Sequence, residues 1–167
     1  MDEVAFLKEI SVFADLTTEE IEKIITIMKE INVPDGSIII QEGDVGDSMY
    51  IIMDGSVEVS KTLTMKIDGQ GFEEKEKILT RLNASDHIIF GEVGLLEDNV
   101  RTASVIAIST CTLREIKKED FQKLADKDPR MGFKIVKNIA RLVCTRLRKA
   151  DEDTIKLTTA LSIALSR

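Results

Sequence analysis

The sequence predicts an α+β fold that is mainly β, with a small antiparallel barrel or sandwich between two helical ends. Three observations predict it: helical spacing of apolar residues near the N-terminus, short β-branched runs divided by turn residues in the middle, and helical spacing again from Lys117 onward. The chain has 167 residues, of which 43% are hydrophobic. This is enough for one domain with a real core, plus at most an appendage.

The first predicted element is an amphipathic helix over residues 17–30, within a helical N-terminal segment, residues 1–31. Thr17 and Glu20 fit the capping-box pattern at its start. Apolar residues then recur at helical spacing, namely Ile21, Ile24, Ile25, Met28 and Ile31. Such a stripe needs a partner surface, so we expect the helix to pack on the rest of the domain.

The middle of the chain, residues 32–116, carries strand signals. Turn residues at 34–36, 43–47 and 54–55 separate short apolar and β-branched runs. The predicted strands are Ser37 to Ile40, Met49 to Met53, Val57 to Val59, Ile78 to Leu82, Ile88 to Phe90, Ala103 to Ile108 and Cys111 to Ile116. Their close spacing favours a small antiparallel barrel or sandwich. We interpret the polar interruption at residues 62–77 as a hairpin insertion with no assigned chemistry.

The C-terminal part is helical again, with a short helix over residues 117–126 and a longer one that has Pro129 in its first turn. Apolar residues in the long helix alternate in spacing between four and three, through Val136, Ala140, Val143, Leu147, Ala150, Thr154, Leu157, Leu161 and Ala164, with Thr154 the polar exception. These residues, called the seam below, match the a/d pattern of a two-stranded coiled coil and predict a homodimer. The alternative is that the stripe packs on the barrel or on itself.

The charge distribution limits the classes of partner. The net charge is -7 and the pI is about 4.9, which argues against a whole-surface affinity for nucleic acid or anionic membrane. Residues 130–149 nevertheless hold seven Lys or Arg and no acid, so the remaining residues sum to -14. We expect this basic helix to complement the acidic body of the same chain, with no nucleic acid or membrane as partner.

Cysteine and histidine usage argues against metal and redox chemistry. Cys111 and Cys144 match no metal-ligand or redox spacing, and no secretory leader or membrane-length apolar run is present in the sequence. We therefore expect a cytoplasmic protein with reduced thiols. His87 is the only histidine, so a multi-histidine metal site or a nucleophile with a histidine base is not expected. The sequence predicts no enzyme activity, no metal site and no cofactor.

The stretch FGEVGLLEDNVRTASV, residues 90–105, carries the one constellation that points to a ligand. A short helical turn beginning at Gly91 and Glu92 would aim backbone N–H groups at an anion, and Gly91 and Gly94 would let the backbone approach closely. Arg101, nine residues after Glu92, could donate to the same anion. Glu92 would repel phosphate, so we interpret it as an acceptor for a ligand hydroxyl such as that of ribose. Together they predict a nucleotide with few negative charges.

These residues resemble a known family. The run from Phe90 to Leu96, followed by Arg101 to Val105, is similar to the phosphate-binding cassette of cyclic nucleotide-binding domains, found in bacterial catabolite activators and in regulatory subunits of cyclic-nucleotide-dependent kinases. The upstream run QEGDVGDSMYIIMDGSVEV, residues 41–59, resembles the glycine-punctuated strand and turn signature of the same family. The resemblance covers about residues 5–150. It implies an antiparallel, jelly-roll-like β-roll flanked by N-terminal helices and a long C-terminal helix.

The resemblance also implies roles for particular residues. Glu92 would bind the ribose 2′-hydroxyl and Arg101 the cyclic phosphate. The other implied ligand contacts are Gly91, Val93, Gly94, Thr102 and Ala103 in the cassette, Val59, Leu79 and Thr80 beside the base, and Asp151 on the long helix. The implied domain is residues 1–150, with a roll at 32–116 and hinge and lid helices at 117–150. Residues 151–167 would be a helical extension.

The resemblance does not decide which base the ligand carries or which protein the sensor acts on. Ala150 and Asp151 stand where catabolite activators place a Thr-Ser pair that meets adenine. Thr102 and Asp151 would both suit guanine, so cGMP stands beside cAMP, which we expect first. We expect a stand-alone sensor without a DNA-binding domain, whose C-terminal helices shift on binding and act on an unidentified downstream protein. The alternative is a ligand-free dimeric interaction module of the same fold.

Overall fold

The computed structural model describes residues 2–67, 71–97 and 99–166. Within these residues the chain forms four α-helices, ten β-strands and two single turns of 3-10 helix. The helices are α1 Glu3–Glu9, α2 Thr18–Ile25, α3 Lys118–Lys127 and α4 Pro129–Leu165. The strands are β1 Met28–Val33, β2 Ile38–Ile40, β3 Val45–Gly46, β4 Ser48–Asp54, β5 Ser56–Ile67, β6 Gly71–Asn83, β7 Ile89–Phe90, β8 Asn99–Val100, β9 Ser104–Ala107 and β10 Cys111–Lys117. The 3-10 turns are Ala84–Asp86 and Glu92–Leu95.

The described strands pair antiparallel in two four-stranded sheets and one short ladder. One sheet has the order β1-β10-β4-β7, the other has the order β2-β9-β5-β6, and β3 pairs with β8. Several strands that pair in a sheet are far apart in sequence, as β2 and β9 are. The chain therefore crosses between the two sheets, which enclose a shared interior. The predicted β-roll between N-terminal helices and a long C-terminal helix is confirmed.

Two apolar clusters hold the fold together. One fills the roll between the sheets and includes Ile52, Val57 and Leu113, all fully buried. The other lies where the helices meet β4 and β10, and includes Leu7 of α1, Ile21 of α2 and Ile139 of α4. Because α4 contributes to the second cluster, the first part of the long helix, as far as Leu142, packs beside the roll.

The N-terminal helical prediction is correct at its start and wrong at its end. Thr17 forms the predicted capping box with Glu20, but α2 stops at Ile25. Met28 and Ile31, which fit the helical spacing, belong instead to β1 and pair with β10. The backbone groups of residues 28–33 form hydrogen bonds with β10, whereas in a longer helix they would bond within the helix. The roll therefore begins at Met28 rather than at residue 32.

The predicted insertion is an extension of the β5–β6 hairpin. The two strands pair from Ser56 and Asn83 out to Ile67 and Gly71, and the register shifts by a bulge between Val59 and Ser60. The tip of the hairpin, residues 68–70, lies outside the described residues.

Helix α4 presents one face to the roll and a different face to solvent. Met131, Ile135 and Ile139 are buried against the helical cluster, whereas the seam residues Val143 and Leu147 are 37% and 59% exposed. Leu157 and Leu161 of the seam are 66% and 59% exposed. The alternative in which the seam packs on the roll is therefore wrong. Within the described chain, no helix is long and apolar enough to cross a membrane.

Ion pairs join the basic stretch of α4 to the acidic body. Lys134 contacts Glu20 at 2.7 Å, and Lys137 contacts Asp15 at 2.9 Å. These partly exposed pairs each contribute at most about 1 kcal/mol to stability. They agree with the expectation that the basic helix complements its own chain.

Candidate functional site

The candidate site is built around the single helical turn Glu92–Leu95, which follows directly on β7. Phe90 of β7 lies opposite Tyr50 of β4, and their rings stack with centroids 5.3 Å apart. Gly91 then adopts a left-handed conformation with φ of 73°, which is strained for residues with a side chain. This glycine turns the chain sharply, so that Glu92 points back into the protein.

The Arg101 side chain lies beside this turn and bonds to two other segments of the chain. Its guanidinium donates to the carbonyl of Gly91 at 3.2 Å and to the carbonyl of Ser48 at 2.8 Å. Both acceptors are neutral, and within the described residues the Arg101 charge has no ion-pair partner. Half-buried and positive, the guanidinium is available to an anion.

Glycines make room for the Arg101 side chain. A Cβ atom built on Gly46 would lie 1.7 Å from Arg101 Nε, and one on Gly94 would lie 2.8 Å from Arg101 Nη1. On Gly91 the corresponding distance is 3.0 Å. Three glycines from two separate parts of the sequence therefore surround this guanidinium, and any side chain at Gly46 would displace it.

Glu92 is buried and only half satisfied. The residue is 4% exposed, and its Oε1 accepts a hydrogen bond from Arg146 of α4 at 2.5 Å. The other oxygen, Oε2, is buried and has no hydrogen-bond partner in the described part of the chain. An unsatisfied buried acceptor costs about 1 to 3 kcal/mol, so a donor from a ligand would be stabilising there.

A pocket of about 200 Å³ opens beside Arg101 and Gly46. Lys117 adds a second cation to its lining, whereas Asp44, Asp47 and Glu115 add negative charge. Burial, together with the neighbouring Glu115 carboxylate, raises the pKa of Tyr50, whose hydroxyl donates to Glu115 at 3.2 Å. With this balance of charges the surroundings of Arg101 suit an anion of low charge better than a polyphosphate.

The predicted base contacts occupy different positions on the β5–β6 hairpin. Val59 lies directly opposite Thr80 and also pairs with Val105 of β9. Val59 lies two residues beyond Val57, which is fully buried in the roll, so Val59 and Thr80 lie on the same side of the sheet as Val57. Val59 is half-buried there, whereas Thr80 is exposed. Leu79 lies in the bulge and is 51% exposed.

The remaining predicted residues are more scattered. Val93 is 42% exposed, Thr102 is exposed and Ala103 is half-buried. Asp151 is exposed on α4, in the part of the helix that extends away from the roll. The structure thus brings Gly91, Glu92, Gly94 and Arg101 together and leaves Asp151 apart from them.

Sequence reasoning missed three contributors: Gly46, the Ser48 carbonyl and Arg146. Gly46 and Ser48 lie in the 41–59 run that carries the family signature, but their contact with Arg101 spans more than 50 residues. Arg146 stood out only as one of seven cations on a helix. The described residues contain no cluster of three or more His, Cys, Asp or Glu that could hold a metal ion. The His87 ring lies 4.8 Å from that of Phe6, which gives it a packing role.

Comparison with known proteins identifies a family and individual proteins to which this chain is similar. A sequence profile of the family described as "Cyclic nucleotide-binding domain" matches residues 30–128. The cGMP-dependent protein kinase egl-4 of Caenorhabditis briggsae is 35% identical over 122 residues, which cover 72% of this chain and 15% of the kinase. A cAMP-dependent protein kinase regulatory subunit of Debaryomyces hansenii is 34% identical over 119 residues, covering 71% of this chain and 23% of that protein.

Among solved structures, the Catabolite Activator Protein of Thermus thermophilus superposes with a TM-score of 0.72 and 28% sequence identity. The match covers 89% of this chain and 63% of that one. The chain thus spans less than a quarter of the length of the two kinase-related relatives and under two thirds of the catabolite activator.

Proposed function

Because this chain belongs to the cyclic nucleotide-binding domain family, we propose that it binds a cyclic nucleotide, cAMP first and cGMP as the alternative, as a regulatory sensor. The observation that carries the proposal is a pair of unmatched groups at the two ends of one short segment. Glu92 has a buried carboxylate oxygen without a donor, and Arg101 has a guanidinium without an ion-pair partner among the described residues. A cyclic nucleotide supplies a ribose hydroxyl for the first and a singly charged phosphate for the second.

The ligand would bind to segments of the chain that are already in contact with each other in the absence of a ligand. In the proposal the cyclic phosphate binds Arg101 and the backbone of Gly91, Val93 and Gly94, with Thr102 and Ala103 beside it. The base lies along Val59, Leu79 and Thr80. Since Arg101 and the glycines around it are already in contact, little ordering is required before binding.

Names of relatives and the exposed position of Asp151 bear on the choice of base. One of the two kinase-related relatives is named as cAMP-dependent and the other as cGMP-dependent. Thr102 and Asp151 are the residues that would suit guanine, and Asp151 lies on an exposed stretch of α4. For Asp151 to contact the base, α4 would have to move over the roll. We therefore place cAMP first.

The first test is thermal unfolding of the purified chain with cAMP, cGMP and 5′-AMP. A ligand at 100 times its Kd stabilises the folded state by about 2.7 kcal/mol, which for a chain of this size raises Tm by roughly 5 to 10 °C. We expect that shift with cAMP or cGMP. The open-chain 5′-AMP, with its more highly charged phosphate, should shift Tm less. Equal Tm values with and without either cyclic nucleotide would contradict the proposal.

Gly46→Ala offers a test of the Arg101 geometry without touching Arg101. The added Cβ overlaps the flexible end of the Arg101 side chain, so the guanidinium should move while the backbone stays in place. We expect cyclic nucleotide affinity to fall by about tenfold or more, because Arg101 loses its aligned position, with Tm changed by only a few degrees. Calorimetric titration and thermal unfolding of the same sample separate the two effects. An unchanged affinity would mean that Arg101 is not aligned for the ligand in this way.

We further propose that the chain forms a homodimer through the seam of α4. The seam is exposed from Val136 onward and keeps its alternating spacing to Ala164, so a second copy would bury it as a coiled coil. In this arrangement residues 1–150 form the binding unit, and residues 151–167 extend the dimer contact. A change in the position of α4 on binding would then alter the surface offered to a downstream protein.

A ligand-free interaction module of the same fold is the rival function. The dimer seam would serve either function equally well, so it does not discriminate between them. Glu92 and Arg101 do, because an interaction module has no need of a buried, half-satisfied carboxylate or of a guanidinium that has no ion-pair partner among the described residues. The thermal test above separates the two functions.

A further inference from the structure

Glu115 places a buried negative charge on the wall of the pocket beside Arg101. The residue lies on β10, lines the pocket and is 9% exposed. Its Oε1 accepts a hydrogen bond at 3.2 Å from the hydroxyl of Tyr50, which lies directly opposite on β4. Tyr50 is neutral, because burial and the Glu115 carboxylate raise the pKa of its hydroxyl. Within the described chain Glu115 therefore has a hydrogen bond but no ion-pair partner.

The strand register places this carboxylate near the proposed position of the phosphate. Arg101 donates to the carbonyl of Ser48 at 2.8 Å, and Ser48 pairs with Lys117 of β10. Glu115 lies two residues along β10 from Lys117, which is about 7 Å at the rise of an antiparallel strand. Side chains two residues apart share one face of a strand, and both residues line the pocket. An anion bound to Arg101 would therefore lie in the electric field of Glu115.

The other charged residues of the pocket wall, apart from half-buried Arg101, are exposed. Asp44, Asp47 and Lys117 are in contact with solvent, where water and salt weaken their effect. Asp47 also accepts a hydrogen bond at 3.0 Å from the hydroxyl of Ser48. Among the described residues that line the pocket, Glu115 is the buried anion, so its repulsion of a bound phosphate is the least screened.

We propose that Glu115 is a specificity-determining residue, which makes the pocket favour a phosphate with one negative charge over a phosphate with two. This inference rests on the proposed function, since it concerns the phosphate held by Arg101. Coulomb repulsion is proportional to the charge of the ligand. A phosphate monoester carries about 1.5 to 2 negative charges at pH 7, whereas a cyclic phosphodiester carries one. Glu115 thus distinguishes the cyclic nucleotide from the open-chain monoester with the same base and sugar.

The test compares two open-chain nucleotides that differ in phosphate charge, 5′-AMP and its singly charged methyl ester. Their affinities are measured at about pH 7.5 by displacement of bound cAMP, which also detects weak binding. Wild type should bind the methyl ester more tightly than 5′-AMP. In Glu115→Gln the affinity for 5′-AMP should rise by about fivefold or more relative to that for the methyl ester. Glutamine keeps the size of the side chain and an oxygen that accepts from Tyr50, so only the charge changes.

Two further variants separate this charge effect from other consequences of substitution. Glu22→Gln removes the same charge from an exposed position on α2, and its ratio of the two affinities should equal that of wild type. Lys117→Gln removes a positive charge from the same pocket wall, and should shift the ratio further against 5′-AMP. Because Lys117 is exposed, this variant tests the electric field in the pocket even if Glu115→Gln does not fold.

The same ratio of affinities in a folded Glu115→Gln and in wild type would overturn the assignment, whatever the change in the absolute values. An equal change of the ratio in Glu22→Gln would also overturn it, because the charge effect would then not belong to the pocket. If Glu115→Gln does not fold, an unchanged ratio in Lys117→Gln overturns it. Failure of the proposed function looks different, since in that case the wild type itself binds neither cAMP nor cGMP.

Discussion

Arg101→Ala is expected to weaken cyclic nucleotide binding by about 2 to 4 kcal/mol, which is roughly 30-fold to 1000-fold in Kd. The cyclic phosphate would lose its charge-assisted donor in a half-buried site. The carbonyls of Gly91 and Ser48 would also lose the donor that joins them, at 3.2 and 2.8 Å. We therefore expect a smaller loss of about 1 to 2 kcal/mol in the free energy of unfolding. Calorimetric titration and denaturant unfolding measure the two losses separately.

Two variants make the Arg101 result specific. Arg101→Lys retains the positive charge without the planar two-point donor, and should bind with intermediate affinity. Arg130→Ala removes an exposed arginine at the second residue of α4 and should bind as wild type. If Arg101→Ala bound cyclic nucleotide as tightly as Arg130→Ala, the assignment of the phosphate site would be wrong.

Charge placed in the seam is expected to convert the proposed dimer to a monomer. Leu147 and Leu161 are both seam residues and are each 59% exposed in the single chain. Burying a leucine fully stabilises by about 1.5 to 3 kcal/mol, and the double substitution to glutamate removes four such contributions per dimer and opposes like charges. Light scattering should report twice the chain mass of 18.7 kDa for wild type and the single mass for the double variant.

Thr159→Glu is the matched control for the seam. Thr159 lies on the same stretch of α4, two residues before Leu161 and outside the a/d pattern, so its substitution adds one negative charge away from the contact. It should remain a dimer. A wild-type chain that is monomeric at high concentration would contradict the seam proposal, and it would leave the ligand site unaffected.

Much of the candidate site could be predicted from the sequence because the groups proposed to contact the ligand are close together along the chain. Gly91, Glu92, Gly94 and Arg101 lie within eleven residues, and their chemistry alone suggested a hydroxyl and a phosphate. The contacts that hold those groups are not local. Arg146 meets Glu92 across 54 residues, and Arg101 meets Ser48 across 53. Such contacts depend on how the roll and α4 come together, which spacing along the chain does not specify.

Dependence on contacts that are distant in sequence also explains why the sequence predicted α2 to be longer than it is. Met28 and Ile31 continue the helical spacing of Ile21 and Ile24, so local periodicity favours a longer helix. Residues 28–33 instead pair with β10, because this pairing adds the edge strand of a four-stranded sheet. For α4 the periodicity was informative: one apolar face packs on the helical cluster, and the seam predicted from spacing is the exposed face.

The most direct test of the central claim is calorimetric titration of the wild-type chain with cAMP and, in a parallel sample, with cGMP. The account predicts saturable binding of at least one of them, with one nucleotide per chain, and a loss of at least about 30-fold in affinity in Arg101→Ala. No saturable heat with either nucleotide, together with unchanged Tm in their presence, would contradict it and would favour the ligand-free interaction module.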